Sequence, residues 1–221
     1  MVAERWDVPL AEALVARGAD PTRRRVDGRT PYEIAELNAN HAVADWLRSR
    51  GAAGILRPVD RLVSACSRVD RETVAKMLAA EPDLRAQIGN EHYATLYRAA
   101  DQGDSAALEA LLTAGFDPNR GDEEIGKTAL HCAAMAGHEE AVRVLLDHGA
   151  ATDVRDREFN APPLIWAAEG ARSHQGREAE YARVGRLLMD AGPLPEWHSD
   201  EGPGDAIVEV IDEWRRARPE R

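Results

Sequence analysis

The chain has little of what usually announces catalysis, a membrane or an oxidising compartment. Of 221 residues only two are cysteine and 5% are aromatic. Two thiols so far apart in sequence, Cys66 and Cys132, exclude a small disulfide scaffold and a C-x-x-C metal or redox pair. No run approaches the roughly 18 apolar residues of a spanning helix. The N-terminal MVAERWDVPLAEALVARG lacks the unbroken apolar core of a signal peptide. These absences predict a cytoplasmic chain with no membrane contact. A Gly-rich phosphate loop, G-x-S-x-G and H-E-x-x-H are all missing, which predicts no catalytic residues, no bound metal and no cofactor. Positive charge is scarce too: 28 Lys and Arg stand against 39 Asp and Glu, for a net charge of -11. Residues 1–61 hold 10 Arg and 9 acids, a net of +1, so the remaining 160 residues carry -12. A phosphate backbone would be repelled by most of the molecule, which excludes general nucleic-acid binding. Arg23, Arg24 and Arg25 form the only basic cluster and read as a solvated loop.

What is present is a period. Tyr32, Leu62, Leu96, Leu130 and Leu164 recur at spacings of 30, 34, 34 and 34 residues. A period of this length marks stacked supersecondary units that bury their apolar faces against neighbours. The unit is clearest from Gly126 to Asp153, GKTALHCAAMAGHEEAVRVLLDHGAATD. Thr128 is placed to N-cap a first helix carrying Ala129, Leu130, Cys132, Ala133 and Ala134, small residues that allow close helix approach. Gly137 interrupts the pattern. A second apolar stripe, Ala141, Val142, Val144, Leu145 and Leu146, then runs toward Gly149, a candidate left-handed cap. The unit therefore reads helix, turn, helix, loop, and both cysteines fall on first helices as small packed residues.

The pattern T-A-L-H-x-A-A-x-x-G-H-x-x-x-V-x-x-L-L-x-x-G-A resembles the ankyrin repeat, whose signature includes T-P-L-H-x-A. DGRTPYEIAELNANHAVADWLRSRGA from Asp27 matches with Ala39-Asn40 in place of Gly-His, and HYATLYRAADQGDSAALEALLTAGFDPN from His92 matches with Asp104 in the His position. The unit from Pro58 is the most divergent and ends in Glu81-Pro82. The fifth, from Asn160, has an anchor-to-glycine distance of 28 residues against 19 in the fourth. The resemblance implies an all-α ankyrin-repeat solenoid of about five helix-turn-helix units at 27–55, 56–88, 89–122, 123–156 and 157–192. A leading half-unit at 6–26 precedes them, and a linker with a C-terminal capping helix, anchored by Ile207, Val210, Ile211 and Trp214, occupies 193–221. Nine or ten repeat helices plus the cap are expected, with no sheet beyond finger hairpins. His131 and His138 fall where the family carries histidine for local hydrogen bonds, and Arg120-Gly121-Asp122 reads as turn chemistry.

The same resemblance implies a function: binding an unidentified protein partner through a concave face made of loop tips and outward positions of each first helix. Carried over unit by unit, that face takes in Leu37, Asn38, Val59 and Arg68, and the chosen partner-binding residues are Tyr93, Asp101, Ile125, Lys127, Met135, Phe159 and Glu169. Tyr93, Ile125, Met135 and Phe159 are the expected apolar anchors. The alternative is a small-molecule or catalytic site on a long loop at 169–183, with Trp166, His174 and Tyr181 as pocket residues, since long loops on rigid scaffolds carry function. Leu10 and Leu14 on the half-unit lack a first helix to cover them. The open readings there are a cover by Trp6, a preceding domain in a longer array, or self-association.

Overall fold

The structure is a computed structural model, and it describes residues 7–174 and 176–192. Trp6 and the expected capping helix lie outside the described residues. Eleven α-helices are present among them, one more than the larger expected number, because the half-unit contributes one helix and each of five units contributes two. No strand occurs among the described residues, and the finger loops are turns. The described residues divide into two compact units, 7–95 with 113–115, and 96–112 with 116–174 and 176–192.

The first unit begins with α1 (Val8–Ala16), capped by Asp7, whose Oδ1 accepts from the Leu10 amide at 2.9 Å. Leu14 and Val15 turn partly inward, whereas Leu10 is 42% exposed. In α2 (Pro31–Leu37) the start is set by a reciprocal capping box: the Thr30 amide donates to Glu33 Oε2 at 2.7 Å and the Glu33 amide to Thr30 Oγ1 at 3.3 Å. α3 (His41–Ser49) packs back on α2 over Tyr32, Ala35, Val43, Ala44, Leu47 and Ala52. The next pair, α4 (Pro58–Ser67) and α5 (Arg71–Ala80), buries Leu62, Val63, Cys66, Val74 and Met77. Glu81-Pro82 cannot continue α5, and a 3-10 segment Pro82–Gln87 follows that buries Leu84.

Two buried carboxylates organise this unit. Glu36 accepts from Ser64 Oγ at 2.6 Å, Arg48 Nη2 at 2.9 Å and Arg68 Nη2 at 3.0 Å, and Asp45 takes the other side of both guanidiniums at 2.9 Å. Burial alone would raise the Glu36 carboxyl, but His41, the Arg68 and Ser64 hydrogen bonds and the Arg68 charge hold it far below its ordinary range. Asp60 is gripped by Arg57 through Nε at 2.7 Å and Nη2 at 2.8 Å, and by His92 Nε2 at 2.9 Å. It too is held far below the usual carboxylate range: burial opposes this, and His92 and Arg57 outweigh it.

The second unit holds α6 (Tyr93–Gln102) from Leu96 onward, most of α7 (Ser105–Ala114), and the pairs α8 (Ala129–Ala136) with α9 (Glu139–Asp147) and α10 (Pro163–Ser173) with α11 (Glu178–Ala191). Its core is apolar and alanine-rich: Ala100, Leu108, Leu111, Ala129, Leu130, Ala133, Ala134, Ala141, Val142, Leu145 and Ala167 are all fully buried. α8 starts after Thr128, whose amide donates to His131 Nδ1 at 3.1 Å, while His131 Nε2 bonds the Ala161 carbonyl at 3.1 Å. With Nδ1 accepting and Nε2 donating, this histidine is neutral, and its burial lowers its pKa below 6.5. Cys66 and Cys132 are free buried thiols, each pushed up to about 12 by burial.

Candidate functional site

The outward-facing loops of the second unit are built by a repeated aspartate. Asp122 and Asp156 stand 34 residues apart, and each closes its loop the same way: the Asp122 amide donates to the Lys127 carbonyl at 2.9 Å, the Asp156 amide to the Ala161 carbonyl at 3.1 Å. Their carboxylates gather the amides at the loop tips. Asp122 Oδ1 accepts from Ile125 and Gly126 at 2.9 and 2.7 Å; Asp156 Oδ1 accepts from Glu158 and Phe159 at 2.9 and 2.6 Å. Asp156 Oδ2 also takes the Ala161 amide at 3.1 Å and Trp166 Nε1 at 3.0 Å. Burial would raise this carboxyl, yet the four donors hold it below its ordinary value.

With these tip amides taken by the two aspartates, the loops are held from within. Phe159 is 65% exposed, and Ile125, at the equivalent position, is half-buried. The two tips are joined directly. The Arg157 amide donates to the Ile125 carbonyl at 2.6 Å, and its guanidinium Nη2 spans the Asp122 and Glu123 carbonyls at 3.0 and 2.8 Å. Phe159 meets the edge of Trp166 at 6.4 Å, and Trp166 in turn meets His131 at 5.4 Å, both T-shaped. Lys127 pairs with Asp122 at 3.4 Å. Gly121 is required by close approach, since a Cβ there would lie 2.5 Å from the Gly126 carbonyl oxygen. The Arg-Gly-Asp string is thus part of a loop hinge.

The expected partner-binding residues divide. Ile125, Lys127, Met135 and Glu169 are half-buried, and Asp101 and Phe159 are exposed. Tyr93 is a correction: it is 7% exposed and belongs to the core. α6 begins at Tyr93, two residues earlier in register than α8, so Tyr93 lies one helical turn before the buried Leu96 and shares its face. Val59 is buried for the same reason, three residues before Leu62 on α4, and Leu37 is buried at the end of α2.

The long loop at 169–183 is also corrected. Residues up to Ser173 extend α10 and residues from Glu178 belong to α11, so the insertion is absorbed mainly as helix. Tyr181 does not line a pocket. It is fully buried, its hydroxyl donates to the Met135 carbonyl at 2.9 Å, and its ring fills the space left by Gly137 and Gly170, where a Cβ would come within 2.9 and 2.7 Å of it. His174 stacks on Tyr181 at 6.3 Å, but Trp166 points to Asp156 and Phe159. The alternative site therefore loses two of its three residues. The organising role of Asp122 and Asp156 escaped the sequence reading. Its signal is legible in retrospect: an aspartate three residues before an apolar residue, Asp122 to Ile125 and Asp156 to Phe159, repeated at 34.

A family model for ankyrin repeats, in three copies, matches residues 96–177. Residues 96–177 therefore carry ankyrin repeats. Among its relatives, E3 ubiquitin-protein ligase KEG of Arabidopsis thaliana is 44% identical over 95 residues, 43% of this chain and 5% of that protein. Palmitoyltransferase Hip14 of Drosophila melanogaster is 30% identical over 133 residues, 60% of this chain and 19% of that protein. Histone-lysine N-methyltransferase EHMT1 of Mus musculus is 29% identical over 144 residues, 64% of this chain and 11% of that protein. The chain spans less than a fifth of the length of each of these relatives. Their three names denote three different activities, so what this chain shares with them is the ankyrin array, an interaction module in general terms. Among the described residues no helix is long and apolar enough to cross a membrane.

Proposed function

We propose that the ankyrin array binds a protein partner through the loop tips and first-helix faces of residues 96–192, with Phe159 and Ile125 as apolar anchors and Asp101, Lys127, Met135 and Glu169 around them. One observation carries this reading. At two successive loops an aspartate accepts tip amides and an apolar side chain stands at the tip, Phe159 exposed and Ile125 half-buried, on backbones tied together by Arg157. Preorganised loops lose little entropy on binding, and aromatic side chains commonly dominate interface energetics. An affinity pull-down from the source cytoplasm, followed by titration of the captured partner, tests it. Phe159→Ala should leave folding within about 0.5 kcal/mol and weaken the partner by about 1 kcal/mol or more. Equal affinity for wild type and a Phe159→Ala, Ile125→Ala double variant would overturn it.

Free buried thiols at Cys66 and Cys132 support a reducing, cytoplasmic location, which cell fractionation tests. The exposure of Leu10 on α1 supports a second contact, self-association through the half-unit. Sedimentation of wild type beside Leu10→Glu tests it; a monomeric wild type rejects it.

A further inference from the structure

The first unit contains a cleft of about 400 Å³ that the protein-binding surface does not use. Tyr32, Arg48, Arg61, Ser64, Arg68, Asp70 and Thr73 supply its polar lining, and Ile55, Leu56 and Ala65 its apolar wall. The wall is held in place by Gly54, which rests on the α2 capping box so closely that a Cβ would lie 2.7 Å from Glu33 Oε1 and 2.9 Å from Thr30 Oγ1. The neighbouring Ile55 is turned out to 92% exposure.

The polar groups of this cleft are unevenly matched. Arg68 is spent on Glu36 and Asp45. Arg48 spends Nη1 on Asp45 and Nη2 on Glu36 and the Tyr32 hydroxyl, which leaves its Nε uncommitted among the described residues. Tyr32 accepts from Arg48 at 2.7 Å and so retains its hydroxyl hydrogen to donate. Arg61 makes no side-chain hydrogen bond or ion pair among the described residues. The one carboxylate in the lining, Asp70, already caps α5 by accepting the Thr73 amide at 3.0 Å. Glu36 and Asp45 together balance Arg48 and Arg68; Arg61 and Asp70 are the remaining charged side chains of the lining, and Arg61 is the guanidinium with no bond to give up among the described residues. The Arg61 guanidinium, the Tyr32 hydroxyl hydrogen and Arg48 Nε are thus donors left over in the lining of one cleft with an apolar wall.

We propose that this cleft binds a small molecule carrying a carboxylate or phosphate group on an apolar stem. The oxyanion accepts from Arg61, the Tyr32 hydroxyl and Arg48 Nε, while the stem lies against Ile55, Leu56 and Ala65. The volume falls in the range of small-ligand pockets, roughly 300 to 1,000 Å³. Charge-assisted hydrogen bonds from guanidinium to oxyanion are among the stronger polar contacts.

Calorimetric titration of the full chain with phenyl phosphate and with inorganic phosphate tests the proposal. Phenyl phosphate should bind, and about tenfold more tightly than inorganic phosphate, because only it reaches the apolar wall. Arg61→Gln, which disturbs no internal contact, should weaken phenyl phosphate about tenfold or more without changing the circular dichroism spectrum. Ile55→Ser should reduce the preference for phenyl phosphate over inorganic phosphate. Binding of neither anion tighter than about 10 mM, or a phenyl phosphate affinity within about twofold of wild type in Arg61→Gln, would overturn it.

Discussion

The two units solve the same turn differently. Between the paired helices of the first four repeats one residue adopts the left-handed conformation: Ala39 at φ 50° and Val69 at φ 56° in the first unit, Gly103 at φ 71° and Gly137 at φ 72° in the second. The following amide reaches back to the same place in all four, Asn40 to Ala35, Asp70 to Ala65, Asp104 to Ala99 and His138 to Ala133, at 2.8 to 3.0 Å. Only glycine adopts that conformation without steric cost, and a β-branched residue there is strained. In the first unit charged side chains brace the turns: Arg68, just before Val69, ties to Glu36 and Asp45, and His41, just after Asn40, bonds the Ser67 carbonyl. In the second unit the missing Cβ is used for packing, with His138 against Gly103 and Tyr181 against Gly137. The backbone geometry is a property of the repeat, and the means of holding it is local.

This contrast can be broken from either side. The largest effect is expected from Tyr181→Ala, which empties the space over Gly137 and Gly170 and should cost about 3 to 5 kcal/mol, seen as lost amide-exchange protection within residues 96–192. Glu36→Gln removes the charge that holds Arg48 and Arg68 and should cost the first unit about 3 kcal/mol by denaturant unfolding. Reciprocal turn substitutions sharpen the comparison. Gly137→Val should destabilise by about 2 kcal/mol through strain and collision with Tyr181, whereas Val69→Gly should stabilise by about 1 kcal/mol. If the two changes had the same sign, the distinction between the turns would fail.

The smallest expected effect concerns pH. His131 is lowered below 6.5 in the folded protein, so the unfolded chain binds more protons in that window. Stability from neutral His131 is therefore full above pH 6.5 and declines as pH falls toward its folded value. Glu36 and Asp60 are also lowered, from 4.5 and 3.8, and their contribution is full above those values and lost only on strong acidification. Exchange protection in the second unit should begin to fall first on acidification, and His131→Gln should remove that early step.

The paired helices and the capping position Thr128 were legible because each depends on residues within one or two turns. Of the expected partner-binding residues, the exposure of Phe159 and Asp101 was legible, since both lie at outward positions of their units. Tyr93 and Val59 were misplaced because helix start, a difference of two or three residues in where the chain begins to coil, decides whether a residue joins a loop tip or a buried face. Tyr181 was misplaced because an insertion reads as loop until its residues find a packing partner.

By itself the sequence determined the period, the helix-turn-helix unit and the likeness to ankyrin repeats, since anchor spacing and turn residues are local and recur along the chain. Tertiary structure decided which turns needed glycine, where the buried carboxylates found their arginines, and that Asp122 and Asp156 shape the loops. Those outcomes rest on contacts between residues such as Glu36 and Arg68 or Trp166 and Asp156, whose partners are chosen by three-dimensional proximity and whose ionised forms survive burial only when those partners are present.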